Sequence, residues 1–150
     1  MNSGISVFEL KDTVERYVND INRLLAQLSS TPHAVSSGTL AALVASDNSH
    51  LFLATVDGKV AGMLTLCHYL VPTGRKMWIE EVVVDEAVRG RSVGRTLVQR
   101  VIEYAGELGP GILMLTSRPS REAANALYRS CGFAFKETNN YTMSIPEKKN

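Results

Sequence analysis

The chain has 150 residues, 45% of them hydrophobic and 21% charged, a size and balance that fit one globular domain spanning residues 1–150 and argue against a disordered, collagenous or disulfide-stapled chain. Sixteen Lys and Arg against fifteen Asp and Glu leave a formal charge of +1, so no global field draws the protein to nucleic acid or an anionic membrane, and any phosphate site is local. Cys67 and Cys131 lack the clustered spacing of a disulfide framework or a zinc site, and no basic segment leads into an apolar run at Met1-Asn2-Ser3-Gly4, so the expected location is the cytoplasm.

In chain order, Ile5-Ser6-Val7-Phe8 predicts a short first strand, and Val14, Val18, Ile21, Leu24, Leu25 and Leu28 recur at helical spacing after it. Pro32 and Ser36-Ser37-Gly38 break the chain before a second helix carrying Leu40, Leu43 and Val44. This helical pair is expected to form a lid or an acceptor wall. Leu51 to Val56 and Val60 to Leu70 read as antiparallel strands joined by the Asp57-Gly58 turn. A loop at Pro72-Thr73-Gly74-Arg75 leads to a fourth strand, Trp78 to Val84. Leu97, Val98, Val101, Ile102, Ala105 and Leu108 mark one face of a helix ended by Gly109-Pro110. Ile112 to Leu115 is a buried strand, Arg121 to Ser130 a helix, and Phe133 to Phe135 and Tyr141 to Ile145 two closing strands.

The most informative segment runs from Val82-Val83-Val84 through Arg89-Gly90-Arg91-Ser92-Val93-Gly94 into Arg95-Thr96-Leu97. A strand here passes through a basic, glycine-containing turn into a helix start. Unpaired N–H groups of a first helical turn attract anions, and Gly90 and Gly94 remove side chains that would hold a phosphate off the backbone. Arg89, Arg91 and Arg95 add positive charge. A nucleotide triphosphatase P-loop does not fit, because the Gly90-to-Gly94 spacing is one residue short and Arg95 stands where Lys is required.

With that turn the sequence resembles the GNAT superfamily of acyl-CoA-dependent N-acyltransferases. Its signature [Q/R]-x-x-G-x-[G/A] is matched by Arg89-Gly90-Arg91-Ser92-Val93-Gly94, except that Ser92 takes the place of the middle glycine. A second segment, Ala123 through Tyr128 to Gly132-Phe133, looks like the family's A-x-x-x-Y-x-x-x-G-F. Many members also carry Asn seven residues before the tyrosine, where this chain has Arg121, so that role passes to no residue. The resemblance implies an α/β fold with a mixed sheet of six to seven strands flanked by about four helices. It also implies acetyl-CoA as acyl donor, held by Val82, Val83, Val84 and Arg89 to Thr96.

The implied reaction is direct attack of an amine on the thioester. Glu80 is the expected base, with Glu81 as substitute; on a regular strand Glu80 shares a face with Trp78, Val82 and Val84, and Glu81 with Ile79 and Val83. Backbone amides of Val82 and Val83 are expected at the thioester oxygen, and Tyr128 resembles the family's general acid. Cys131 reads as packing, and His33, His50 and His68 have no metal-ligand spacing, so no metal is expected. The expected acceptor is the amine of a small molecule; a protein lysine or N-terminus, and a non-catalytic acyl-CoA-binding regulator, are the alternatives. The apolar closing segments leave a sheet edge, which together with the family's habit of pairing there points to a homodimer.

Overall fold

The computed structural model describes residues 4–12, 14–31 and 33–149; the Met1–Ser3 start and the Pro32 break read from the sequence lie outside them. Strand β1 (Ile5–Glu9) is followed by helices α1 (Val14–Leu28) and α2 (Ser37–Ala45), strands β2 (Ser49–Val56), β3 (Lys59–Val71) and β4 (Gly74–Val84), helix α3 (Val93–Leu108), strand β5 (Gly111–Met114) and helix α4 (Glu122–Ser130). The strands lie side by side in chain order in one sheet. β1 to β4 run antiparallel, and β5 joins β4 in parallel after the α3 crossover.

Each helix forms where its apolar spacing allows. Helix α2 begins at Ser36, whose Oγ accepts the Thr39 N–H at 3.1 Å and satisfies one donor of the open first turn. The β2–β3 turn places Asp57 and Gly58 at φ +50° and +84°, the left-handed pair that a two-residue hairpin requires.

The sheet has a core on each face. On one, Leu97, Val98, Val101 and Ala105 of α3 pack with Phe52, Leu64, Leu66, Met77 and Ile79, and Tyr128 joins them from α4. On the other, Ile21 and Leu24 of α1 and Leu40 of α2 pack on Leu51, Leu53, Met63 and Val83. Each large aliphatic so buried contributes about 1.5–3 kcal/mol. Among the described residues no helix is long and apolar enough to cross a membrane.

At the margin of the α3 face lies a polar chain. Glu9 Oε2 is 2.8 Å from His50 Nδ1, His50 Nε2 is 3.0 Å from His68 Nε2, and Arg75 Nη1 is 2.8 Å from His68 Nδ1. Arginine only donates, so His68 accepts at Nδ1, carries its hydrogen on Nε2 and donates to His50, which donates from Nδ1 to Glu9. Both rings are neutral in this arrangement. Burial, then His50 and Arg75, depresses the His68 pKa below the usual value.

The expected sheet of six to seven strands is an overcount: five are present among the described residues. Residues 133–149, which were to supply two closing strands, belong to no strand or helix. Their alternating apolar pattern suits a half-buried strand, but alternation shows only aptitude for pairing, and they pair with no strand among the described residues. The loop expected at 72–75 is a tight turn, since Val71 already pairs with Gly74.

Candidate active site

Strand β4 carries one more residue than β3 opposite it. Met63 pairs with Val83 and Thr65 with Glu80, so three steps on β4 answer two on β3. Glu81 absorbs the extra residue at φ +51°, as a bulge does. The bulge shifts the alternation: Ile79, Val82 and Val84 pack toward α3, and Val83 packs toward α1 and α2. The regular-strand expectation is thereby corrected. Glu80 lies across the strand from Ile79, on the side of Val83, and no longer shares a face with Val82 and Val84.

β4 and β5 stay paired from Arg75↔Gly111 only as far as Trp78↔Met114. Beyond that point β4 runs on to Val84 without β5 beside it, and the two strands open into a wedge. A cavity of about 180 Å³ lies there, lined by Ile79, Glu80, Glu81 and Val82 of β4, Leu115 and Thr116 beyond β5, Leu28 of α1, and Arg121 and Tyr128 at α4. Glu80 and Tyr128, forty-eight positions apart in sequence, thus meet one cavity. Val83 is buried in the α1-side core, and Val84 continues β4 toward the turn.

The electrostatics of the wedge follow from what surrounds it. Burial pushes the Glu80 pKa above the ordinary carboxylate value, and the neighbouring Glu81 pushes it in the same direction. Tyr128 is 6% exposed yet lines the cavity; burial raises its phenol pKa, and the Arg121 charge opposes that rise. Its ring is held at 6.2 Å from the Phe133 ring, edge to face. Together these place a carboxyl group and a phenol, both with raised pKa, around one small space.

The basic turn lies directly after β4. Asp85 accepts the Ala87 N–H at 3.0 Å and caps a short 3₁₀ turn, Glu86–Val88. Asp85 also pairs with Arg23, while Gln27 accepts the Glu86 N–H at 2.9 Å, so α1 anchors the turn. The Ala87 N–H, above the Gln27 and Arg23 contacts, holds the Asp85 carboxyl below its usual pKa. Gly90 then adopts φ +85° and Ser92 φ +66°, and α3 begins at Val93.

Ser92 makes no side-chain cap bond. The first helical bond runs from the Thr96 N–H to the Ser92 carbonyl at 3.0 Å, so the amides ahead of it have no partner within the helix, the arrangement that receives anions. The Thr96 hydroxyl donates to the same carbonyl at 2.7 Å. Arg89 and Arg91 are exposed at the turn, with Arg91 Nη2 3.9 Å from Asp57. Arg95 differs: its guanidinium donates to Ser130 Oγ at 2.8 Å and ties α3 to α4. At Gly94 a Cβ would meet Leu127 Cδ2 at 3.3 Å and Val84 Cγ2 at 3.5 Å, so its missing side chain admits helix packing, whereas at Gly90 a Cβ would meet nothing within 4 Å.

Three features escaped the sequence reading. Arg121 enters the cavity, Leu28 reaches it from α1, and Asp85 with Gln27 positions the turn. Only the first had a signal, since it sits seven residues before Tyr128. Cys131 is a partly buried free thiol packed against the α3-side core, as expected.

A parallel crossover at a split sheet, with a helix start that has no side-chain cap after β4 and ionisable groups in the split, is the arrangement from which an acyltransferase reading follows. The chain belongs to the acetyltransferase (GNAT) family, whose model matches residues 18–133. It is 32% identical over 130 residues to glucosamine 6-phosphate N-acetyltransferase 1 of Oryza sativa subsp. japonica, covering 78% of this chain and 77% of that protein. Among solved structures it superposes with a TM-score of 0.84 on an aminoglycoside acetyltransferase from an uncultured soil metagenomic sample in complex with trehalose, at 17% identity, covering 95% of this chain and 97% of that one. An aminoglycoside N-acetyltransferase in complex with CoA gives 0.74 at 15% identity, covering 93% and 94%. These two likenesses concern the fold; the family match and the plant relative make the protein an N-acetyltransferase.

Proposed function

We propose that the protein acts in the cytoplasm to transfer the acetyl group of acetyl-CoA to the primary amine of a small molecule, by direct attack within a ternary complex. The observation that carries this reading is the wedge itself, which gathers Glu80, Glu81, Arg121 and Tyr128 around an open β4 edge leading to the basic turn.

In this reading the diphosphate sits on the uncapped start of α3, with Arg89 and Arg91 beside it, and the pantetheine arm follows the free edge of β4 to the cavity. A lysine-like amine loses its proton at a cost of about 4–5 kcal/mol at pH 7. Glu80, with its raised pKa, takes that proton directly or through one water. The amine nitrogen then bonds to the thioester carbon, and whichever of the Val82 and Val83 backbone N–H groups lies on the open edge of β4 faces the developing oxyanion. One aimed donor of this kind is worth about 2.7–4 kcal/mol. The carbon–sulfur bond breaks as the intermediate collapses, and Tyr128 gives its phenolic proton to the leaving sulfur. Arg121 stabilises the phenolate so formed, in keeping with its effect on the Tyr128 pKa, until the extra proton still on the product nitrogen is lost and restores the phenol, leaving a neutral amide.

The cavity of about 180 Å³ suits the reacting acetyl-thioester and amine groups, with the rest of each molecule outside it, and the plant relative's name supports an amino-sugar phosphate among the acceptors. A thiol-release assay with acetyl-CoA against glucosamine 6-phosphate, aminoglycosides, and peptides bearing free N-termini or lysine tests this. Turnover of a small amine is expected. Turnover of peptides alone would replace the acceptor class, and coenzyme binding without turnover of any amine would make the protein a regulator.

A further inference from the structure

The sheet face turned toward α1 and α2 is covered over only part of its length. Across β2, β3 and β4, Leu53, Met63 and Val83 form one row, Leu51, Thr65 and Glu80 the next, and Ser49, Cys67 and Trp78 a third. The first row and Leu51 are buried beneath the two helices. Tyr69 and Lys76 follow on the same face, and the parallel register sets Met114 and Ile112 of β5 beside Trp78 and Lys76. No hydrophobic residue past Leu51 on this face joins either core: Cys67, Trp78 and Met114 are half-buried, Tyr69 is 43% exposed and Ile112 54%. The sheet thus leaves an uncovered shelf, and the shelf begins at Glu80.

Two features give the shelf a chemical preference. The Trp78 indole N–H donates to the Tyr69 hydroxyl at 3.0 Å, which ties the two rings together and leaves the phenol's own hydrogen for another acceptor. Lys76 is half-buried and makes no ion pair among the described residues. A flat aromatic surface is therefore flanked by one donor and one cation. The C–H face of a sugar ring is weakly positive and suits the negative face of an indole, while ring hydroxyls and an anionic substituent suit the phenol and the ammonium. An alkyl or aryl amine without an anionic group would leave Lys76 unanswered. Glu80, Trp78 and Lys76 are successive positions on one face of β4, each about 7 Å from the next, a spacing comparable to the width of one sugar ring.

We propose that the body of the acceptor lies on this shelf, with its amine at Glu80, its ring on Trp78 and an anionic group at Lys76, so that Trp78, Tyr69 and Lys76 select an amino sugar carrying a phosphate or other anionic substituent. The inference rests on the proposed reading of the wedge as the transfer site. Glu80 belongs to both the wedge and the shelf, and a cavity of about 180 Å³ takes only the reacting groups. The remainder of the acceptor needs a surface that adjoins Glu80, and the shelf supplies it on the side away from the coenzyme turn.

Trp78 is the one tryptophan of the chain, so its fluorescence reports on the shelf without any turnover. Glucosamine 6-phosphate is expected to shift the emission to shorter wavelength as its ring displaces water from the indole, and to do so at about a tenth of the concentration that glucosamine requires. Lys76→Ala is expected to erase that tenfold preference in both the emission titration and KM, with kcat and the KM for acetyl-CoA unchanged, and Lys76→Arg to restore most of it. Trp78→Ala is expected to raise KM for both sugars about tenfold, and Trp78→Phe, which keeps a flat ring, to raise it less. No emission change at saturating glucosamine 6-phosphate, a preference for the phosphorylated sugar that survives in Lys76→Ala, or acetylation of hexylamine as efficient as that of glucosamine 6-phosphate would each overturn the proposal. An emission response that depends on Lys76, in a protein that acetylates no amine, would leave the shelf standing and refute the proposed function instead.

Discussion

Gly90→Ala separates the backbone requirement of the phosphate turn from every packing effect. Gly90 sits at φ +85°, and an added Cβ meets nothing within 4 Å, so the substitution costs only the left-handed conformation. That cost is about 1–2 kcal/mol, offset by about 0.4–1 kcal/mol from the stiffer unfolded chain, for a net loss of about 1 kcal/mol. A chain of this length should then melt about 2–4 °C lower. Gly58 supplies a matched control, at φ +84° and likewise with nothing within 4 Å, but in the β2–β3 turn. Gly58→Ala and Gly90→Ala should therefore lose the same stability. Only Gly90→Ala should weaken acetyl-CoA, by about tenfold, the equivalent of about 1.4 kcal/mol for one lost charge-assisted contact. Thermal unfolding and titration calorimetry on both variants supply the readouts. Equal coenzyme affinity in the two would refute the assignment of the turn, and an undiminished melting temperature in Gly90→Ala would refute the strain argument.

Ser92→Gly should act in the opposite sense. It relieves φ +66° at a residue whose side chain makes no cap bond, so the protein should keep or gain up to about 1 kcal/mol and bind coenzyme at least as tightly by calorimetry. Stability should also depend on pH through His68. Its folded pKa lies below the unfolded value near 6.5, so its contribution is complete above about pH 6.5 and is lost as pH falls through that value toward the folded pKa, where the unfolded chain binds the extra proton. Denaturation midpoints from pH 8 to pH 5 should fall, with a slope of at most about 1.4 kcal/mol per pH unit for this one proton, and His68→Gln should flatten the fall; an identical slope in that variant would discount the histidine chain. Glu80→Gln should remove the acidic limb of the kcat/KM profile, which in the parent lies above the ordinary carboxylate range because burial and Glu81 raise the pKa. A limb that survives in Glu80→Gln would pass the role to Glu81.

The parts of the molecule legible in the sequence are those fixed by local physics. The apolar stripe from Leu97 to Leu108 reads as a helix because no other structure buries that spacing, and Asp57-Gly58 reads as a hairpin because few pairs tolerate two left-handed residues. Tyr128 and the basic turn were visible through their neighbours in two short signatures. The β4 bulge was not, since Glu80 and Glu81 are both polar and either could stand on either face until β3 sets the register. The packing of Gly94 was not legible either, because its contacts, Leu127 and Val84, come from other elements. Arg121 comes to line the wedge only because the start of α4 lies beside it. The segment after Phe133 has a strand's pattern without a strand's neighbour, so its sequence could not reveal whether this chain supplies the partner.

The account turns most directly on the phenol of Tyr128. Tyr128→Phe keeps the ring, its packing against Phe133 and its burial, and removes one hydroxyl from a residue that lines the cavity. Single-turnover acetyl transfer with saturating acetyl-CoA measures the chemical step alone. The rate should fall by about 10²–10⁴-fold, while the coenzyme dissociation constant and the melting temperature stay unchanged. An undiminished single-turnover rate in a folded, coenzyme-saturated Tyr128→Phe protein would contradict the assignment of that phenol as the proton donor to the departing sulfur.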